Sequence, residues 1–528
     1  MVTKNKIRKS FSSLLTGGSK WAFVIFVFLP LIYTFITAFS GKNELLSNLQ
    51  QIKSDSLLLL LKSGGIAFAS ALLSTLLGTI IGFILYKTHI RFNIFFKLAL
   101  LIPLFISPYI LAVAWKDFFF LIFNDTGPVM SGAGVIWVLT TIYTPLSILI
   151  SGSAFAGIDS QIEESAIMIA GFRKAMIKVI LPLIKPALLS SFVLVFIFSI
   201  SEFSVPAFFG IKVFTTEIFT QFSAFYNHSL AVLQSSLLIL ICIFLLIGEK
   251  EYLSEAPFIS IGTKGTKTRL YQNKKLSFFG SVFVSGWFFV SVLTPFIVLI
   301  IQSVSGGGEQ LIKAFDLLKP TFAASFGLAF TGAVIILIIG FAAALASVKN
   351  SNQGKKNYFD MLLLIAFASP SIILGISLIK FYNHPALNFI YSSFAIIVIG
   401  YAGKFTFISA KLIANAIKQI PRSLDEAAQI TGIPERSRLW KVLIPLTAPA
   451  LFSAFIISFI FSLGELGTTI MVYPPGTEIM PIKVFTIMAN APQSLTSSMT
   501  LIVFSVTLLL ISIFYLSGKW LFKSNAPD

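Results

Sequence analysis

Charge is scarce in this sequence. Asp, Glu, Lys and Arg make up 11% of its 528 residues, against roughly 25% in soluble globular domains. Hydrophobic residues make up 56%, aromatic residues 14%, and the mean hydropathy is +0.91. That balance excludes an ordinary soluble protein and leaves a polytopic membrane protein. Cysteine is nearly missing: Cys242 stands alone in an apolar run, so no disulfide framework and no paired-cysteine metal site can form within the chain. The three histidines, His89, His228 and His384, are dispersed, and no His-Glu-x-x-His spacing occurs, so the sequence offers no metal centre. No stretch has the glycine-lysine spacing of a loop whose backbone amides cradle phosphates. Gly403-Lys404 is followed by Phe405, and Gly265 to Thr268 lacks the interval. The net charge of +18 does not mark a nucleic-acid binder, because the basic residues form short clusters between apolar runs.

What the chain has in abundance is apolar length. Runs able to span a bilayer fall near residues 21–39, 64–86, 98–118, 133–155, 183–203 and 229–248. After a polar, Lys- and Gly-containing stretch at 249–276, six more fall near 277–301, 322–346, 360–381, 389–413, 446–464 and 498–518. The expected fold is all-α integral membrane, with twelve transmembrane helices in two six-helix halves, 1–248 and 277–528, joined by a linker at 249–276. Lys4, Lys6, Arg8, Lys9 and Lys20 precede the first run and read as the flank of an uncleaved anchor. With the N-terminus inside, 28 of the 39 Lys and Arg fall in inside segments and nine in outside segments, while Lys404 and Lys411 lie within a span. The basic bias predicts a multi-pass inner (plasma) membrane protein with both termini cytoplasmic.

The halves also repeat each other. Ser107-Pro108 matches Ser369-Pro370, and Glu164 matches Glu426, both at an offset of 262; Pro182 matches Pro445 and Glu202 matches Glu465 at 263. Because each half has an even number of spans, the repeats are parallel, related by an axis along the membrane normal. The most telling pair is polar: EESAIMIAGFRKAMIKVILPLIKPALLSSF from Glu163 to Phe192, and DEAAQITGIPERSRLWKVLIPLTAPALFSAF from Asp425 to Phe455. Each opens on acidic residues, where a helix dipole favours them, passes through small residues and a glycine, and enters the membrane through prolines. An amphipathic interfacial helix explains one such loop. Two at matched positions on the same side call for a shared docking role.

At these residues the chain resembles the permease subunits of binding-protein-dependent ABC importers, whose EAA motif is echoed by Glu426-Ala427-Ala428, Gly432 and Ile444-Pro445. The resemblance implies that loops 157–182 and 416–445 are coupling loops docking into two copies of a cytoplasmic ABC ATPase. Glu164, Ser165, Ala166 and Gly171 would take that role in the first half, and Glu426, Ala427, Ala428 and Gly432 in the second. The first copy departs from the pattern: Ser165 stands for an alanine, and Gly171 follows Glu164 by seven residues rather than six. Two fused halves resemble the ferric-iron permeases of this family, an arrangement thiamine permeases share. The implied activity is non-enzymatic import of a small solute, with ferric iron as the leading cargo and thiamine, phosphonates or polyamines as alternatives. An external binding protein would deliver the solute, the chain itself would need no cofactor, and ATP and Mg would sit on the partner ATPase. Val304-Ser305-Gly306-Gly307-Gly308 has a superficial likeness to the ABC ATPase signature, but lies in an outside loop. Lipid and these proteins, not nucleic acid, are the expected partners. A secondary transporter with parallel halves is the competing reading, separated by whether an ATPase co-purifies; a membrane-embedded enzyme would need convergent acids, bases or ligands that the spans hardly supply.

Glu202 and Glu465 form the one acidic pair recurring at equivalent positions in the fifth span of each half. An ionisable group in a span needs a cavity or a partner, so the two are candidates for the translocation pathway. Each lies 20 residues beyond Pro182 or Pro445, roughly 30 Å along a continuous helix, which would bring them to the outer mouth as a negative collar for cationic cargo. The structural alternative is that each caps a neighbouring helix or pairs with a cation such as Lys404.

Overall fold

The structure, a computed structural model, describes residues 11–39, 54–253, 270, 271, 273–352, 358–420 and 434–523. It is helical, as backbone groups in hydrocarbon must be satisfied within their own segment. In chain order the first half holds α1 (Leu14–Thr37), α2 (Ser56–Lys87), α3 (Asn93–Phe105), α4 (Pro108–Phe123) and α5 (Gly132–Ala156). It continues with α6 (Ser160–Ala175), α7 (Leu181–Ser201), α8 (Ser204–Phe208), α9 (Phe214–Ser223) and α10 (His228–Leu253). The second half holds α11 (Lys274–Ser305), α12 (Gly308–Asn352), α13 (Tyr358–Ala368), α14 (Ser371–Tyr382) and α15 (Ala395–Lys418). It ends with α16 (Ile444–Gly464), α17 (Met480–Ile487) and α18 (Gln493–Lys523). Among the described residues ten helices are long and apolar enough to cross a membrane, or up to twelve spans if each bent pair counts as one.

Two of the expected spans, 98–118 and 360–381, fall on bent helix pairs. α3 and α4 meet at 98°, α13 and α14 at 104°. Both breaks fall at a Ser-Pro step. Pro108 has no N–H and crowds Ser107 out of the helical region, to φ −59°, ψ 134°; in the second half Pro370 itself sits extended at φ −53°, ψ 142°. Hydropathy is blind to such a turn, because both arms are equally apolar.

Packing repeats with the sequence. α2 lies along α5 and α7 in the first half, as α12 lies along α15 and α16 in the second. Single π-turns at Met176–Ile180 and Leu439–Leu443 precede Pro182 and Pro445, where an i−4 hydrogen bond cannot form and a wider turn avoids the ring clash. The halves also exchange elements: α4 packs against α11 and α18, while α14 packs against α1 and α10. These interlocked helices are consistent with a duplicated permease fold.

One close helix approach at a glycine recurs in both halves. A Cβ added to Gly78 of α2 would lie 2.3 Å from Ser147 Cβ of α5, and one added to Gly340 of α12 would lie 2.6 Å from Ser409 Oγ of α15. Both pairs sit at the same offset of 262, so the same small-residue contact is used twice. Gly78→Val should therefore lower the yield of folded protein in detergent, since overpacking a tight site costs about 1–3 kcal/mol. Gly64→Val, with nothing within 4 Å of the added atom, should leave the yield unchanged in the same size-exclusion assay.

Candidate functional site

The recurring landmarks converge on one chamber between the halves. A cavity of about 150 Å³ is walled by Ser107, Pro108, Tyr143, Glu202 and Ser204 from the first half and by Ser371, Lys404, Gly464 and Glu465 from the second. α7 stops at Ser201 and α16 at Gly464, each followed by a glutamate in extended conformation. Glu202 accepts hydrogen bonds from the Ser204 N–H at 2.8 Å and from the Ser204 hydroxyl, and the Tyr143 hydroxyl donates to its other oxygen at 3.4 Å. Glu465 accepts from the N–H groups of Thr468 at 2.7 Å and Thr469 at 3.0 Å, and from the Thr469 hydroxyl at 2.6 Å. Each carboxylate thus satisfies donors at the start of the next short helix, which would otherwise be orphaned in an apolar interior.

Lys404, on α15, supplies the cation. It is only 7% exposed, and its Nζ donates to the carbonyls of Ser369 at 2.9 Å and Phe367 at 3.3 Å, at the break between α13 and α14. It lies within electrostatic reach of both Glu465 and Glu202. The first break is tied across the halves as well, Ser107 Oγ donating to the Gly464 carbonyl at 2.7 Å. The two glutamates therefore border a chamber beside the middle of α15. They combine the capping role with proximity to Lys404.

A second, larger cavity of about 600 Å³ adjoins the chamber, sharing Leu104, Phe105, Phe198, Ile408, Ile460 and Phe461 with it. It extends along α15 to Lys411 and along α18 to Lys519. Lys411 pairs there with Asp360 at 3.1 Å. At the opposite end of α18 the halves are clasped. Buried Asp117 of α4 accepts from Gln493 Nε2 at 2.6 Å and from the Ser497 hydroxyl. The larger cavity itself is walled mainly by apolar side chains. Asp117 was legible as a site residue in principle, being an acid inside an apolar run; its partners, more than 370 positions away, were not.

Of the coupling residues, the first-half set is described. Asp159 caps α6 through the Gln161 N–H at 2.8 Å. Glu164 and Ser165 are exposed, Ala166 is half-buried, and Gly171 is exposed at φ 73°, ψ 162°, kinking α6 in a conformation that glycine reaches at least cost. Around them Met168 and Ile169 are 86% and 87% exposed. Glu426, Ala427, Ala428 and Gly432 lie outside the described residues. Of the histidines, His384 accepts from the Ala386 N–H and His228 packs its ring on Phe222. Among the described residues no three of His, Cys, Asp and Glu gather as a metal site would require.

With this geometry in hand, comparison with known proteins is informative. Residues 336–525 match the family described as the binding-protein-dependent transport system inner membrane component. The chain is a multi-span, all-α membrane protein that is similar over this stretch to permease components of binding-protein-dependent (ABC) transport systems. Its role is transport, not catalysis, in a multi-pass inner-membrane setting. It is 25% identical over 401 residues to the Fe(3+)-transport system permease protein FbpB 2 of Haemophilus influenzae, covering 74% of this chain and 76% of that one. It is 24% identical over 364 residues to the ferric transport system permease protein FbpB of Actinobacillus pleuropneumoniae, covering 64% of this chain and 51% of the relative. The PhnV permease protein of Salmonella choleraesuis, named for a 2-aminoethylphosphonate transport system, is 26% identical over 253 residues, covering 46% of this chain but 94% of PhnV. Less than half of this permease thus matches nearly the whole of that relative.

Proposed function

We propose that the chain forms the membrane pathway of an ATP-driven importer: two six-span halves, 1–248 and 277–528, each presenting one coupling loop to a cytoplasmic ATPase. An external binding protein hands a small solute to the chamber between the halves. The observation that carries this reading is the convergence of both repeats' Ser-Pro breaks and fifth-span glutamates on one chamber, next to an apolar cavity. The clasp at Asp117 fits an inward-facing state. Loop 1 supports docking by its exposed Met168 and Ile169 and its kink at Gly171, since large exposed apolar side chains mark interaction sites.

For the solute, the chamber favours a molecule carrying both charges. One ammonium and two carboxylates face it, and the carboxylates are already engaged as helix caps. A 2-aminoethylphosphonate, with an amine and a phosphonate, would find a partner for each end. Ferric iron is the second reading, carried by the two ferric-permease relatives and their coverage of both halves. The ligand retained by the purified binding protein separates the two. Uptake into proteoliposomes that proceeds without the ATPase would point instead to a secondary transporter.

Topology gives an independent expectation. Reporters fused after residue 175, at residue 262 and after residue 435 should read cytoplasmic, and one inserted near residue 308 should read outside. Any of the first three reading outside overturns the coupling-loop assignment.

A further inference from the structure

Beside the exposed Glu164 stands a carboxylate of the opposite character. Glu163 is fully buried in the first turn of α6, and one of its oxygens lies 2.7 Å from Nζ of the equally buried Lys87, the last residue of α2. Its other oxygen accepts from the hydroxyl of Tyr271. Tyr271 belongs to the segment joining the two halves, and its own N–H donates to the Lys87 carbonyl at 2.7 Å, pairing Thr88 and Tyr271 as a short parallel bridge. The Tyr271 ring packs edge-on to Phe172 of α6, with centroids 5.1 Å apart, and tilted against Phe83 of α2 at 5.9 Å. Three segments distant in sequence thus meet at one dry, hydrogen-bonded carboxylate.

A buried ion pair is weak evidence for stability, because desolvating both charges offsets their attraction, and fixing one geometry is its better-attested use. The geometry fixed here is that of α6 on α2. α2 lies against α5, which carries Tyr143, and against α7, which ends at Glu202. A push on α6 therefore has a continuous packed route to the chamber.

We propose that Glu163 fastens the first coupling helix to the membrane domain, and that Tyr271 builds the inter-half linker into the same joint. Lys87, Glu163 and Tyr271 act as positioning residues that carry the movement of α6 into α2. This rests on the reading of α6 as a coupling helix.

The test uses the full complex in proteoliposomes, with ATP and the purified binding protein carrying whatever solute it retains, and reads the stimulation of ATP hydrolysis by that protein. Tyr271→Phe keeps the ring between Phe83 and Phe172 and removes only the hydroxyl donor. It should bind the ATPase normally but lose roughly fivefold of the stimulation, with Glu163→Gln losing roughly tenfold, within the span typical of coupling between sites. The exchange Lys87→Glu with Glu163→Lys should recover part of it, which a merely space-filling role would not. Wild-type stimulation in both Tyr271→Phe and Glu163→Gln overturns the joint. A wild-type complex that the binding protein does not stimulate at all would instead overturn the coupling reading beneath it.

Discussion

Glu426→Lys abolishes ATP-driven uptake while the permease still inserts and folds. The described copy of the loop gives the reason. At the equivalent position Glu164 is exposed on α6 among Met168 and Ile169, and Gly171 turns the chain just beyond at φ 73°. The proposed docking face thus presents an exposed carboxylate among apolar side chains, so a change there should leave the permease folded and the complex impaired. Reversing its charge removes the attraction and leaves the partner's charge buried against its like, a change of about 2–5 kcal/mol in interfaces of this kind, or more than about thirtyfold in affinity. Gly432→Pro should do the same by denying the loop the freedom that glycine provides. Glu164→Lys should do less, because the first loop departs from the motif in length and in Ser165. ATPase co-purification and uptake are the two readouts; wild-type values of both in Glu426→Lys would remove the docking role.

How far the sequence could be read depended on the range of each interaction. The duplication was visible because its markers are residues with special backbone needs, such as Pro182 and Pro445 at the membrane entry, and these keep their spacing. Span positions followed from apolar length. The bends after Ser107 and Ser369 did not, since a turn of 98° or 104° leaves the hydropathy of both arms unchanged; only the Ser-Pro steps hinted at them. Glu202 and Glu465 could be singled out by rarity, but not the chamber they share. That depends on α15 bringing Lys404 to the same cavity. Lys87 with Glu163 and Asp117 with Ser497 lay beyond reach for the same reason: the partners are 76 and 380 residues apart, and no local pattern encodes the pairing. Polar residues buried inside an apolar protein are therefore the ones whose identity is legible and whose partners are not.

The chamber charges yield the second large effect. Lys404→Met removes the ammonium that donates to the Phe367 and Ser369 carbonyls and lines the same chamber as the two glutamates. The break between α13 and α14 loses a charged donor, worth about 1.5–3 kcal/mol, the carboxylates lose the cation that shares their chamber, and the yield of folded permease should drop. Glu202→Gln with Glu465→Gln acts differently. Each amide oxygen still accepts from the N–H of Ser204 or Thr468, so both short helices keep a cap, while the negative charge is gone. That double variant should fold and transport at least about tenfold more slowly, equivalent to the loss of one charge-assisted contact of about 1.4 kcal/mol along the path. Combining all three substitutions separates the roles. Neutral everywhere, the triple variant should regain part of the folded yield that Lys404→Met loses, because no uncompensated charge remains, and yet stay defective in uptake. If the triple variant transports at the wild-type rate, the three charges serve only to hold α8, α15 and the α13–α14 break together, and the solute passes without meeting them.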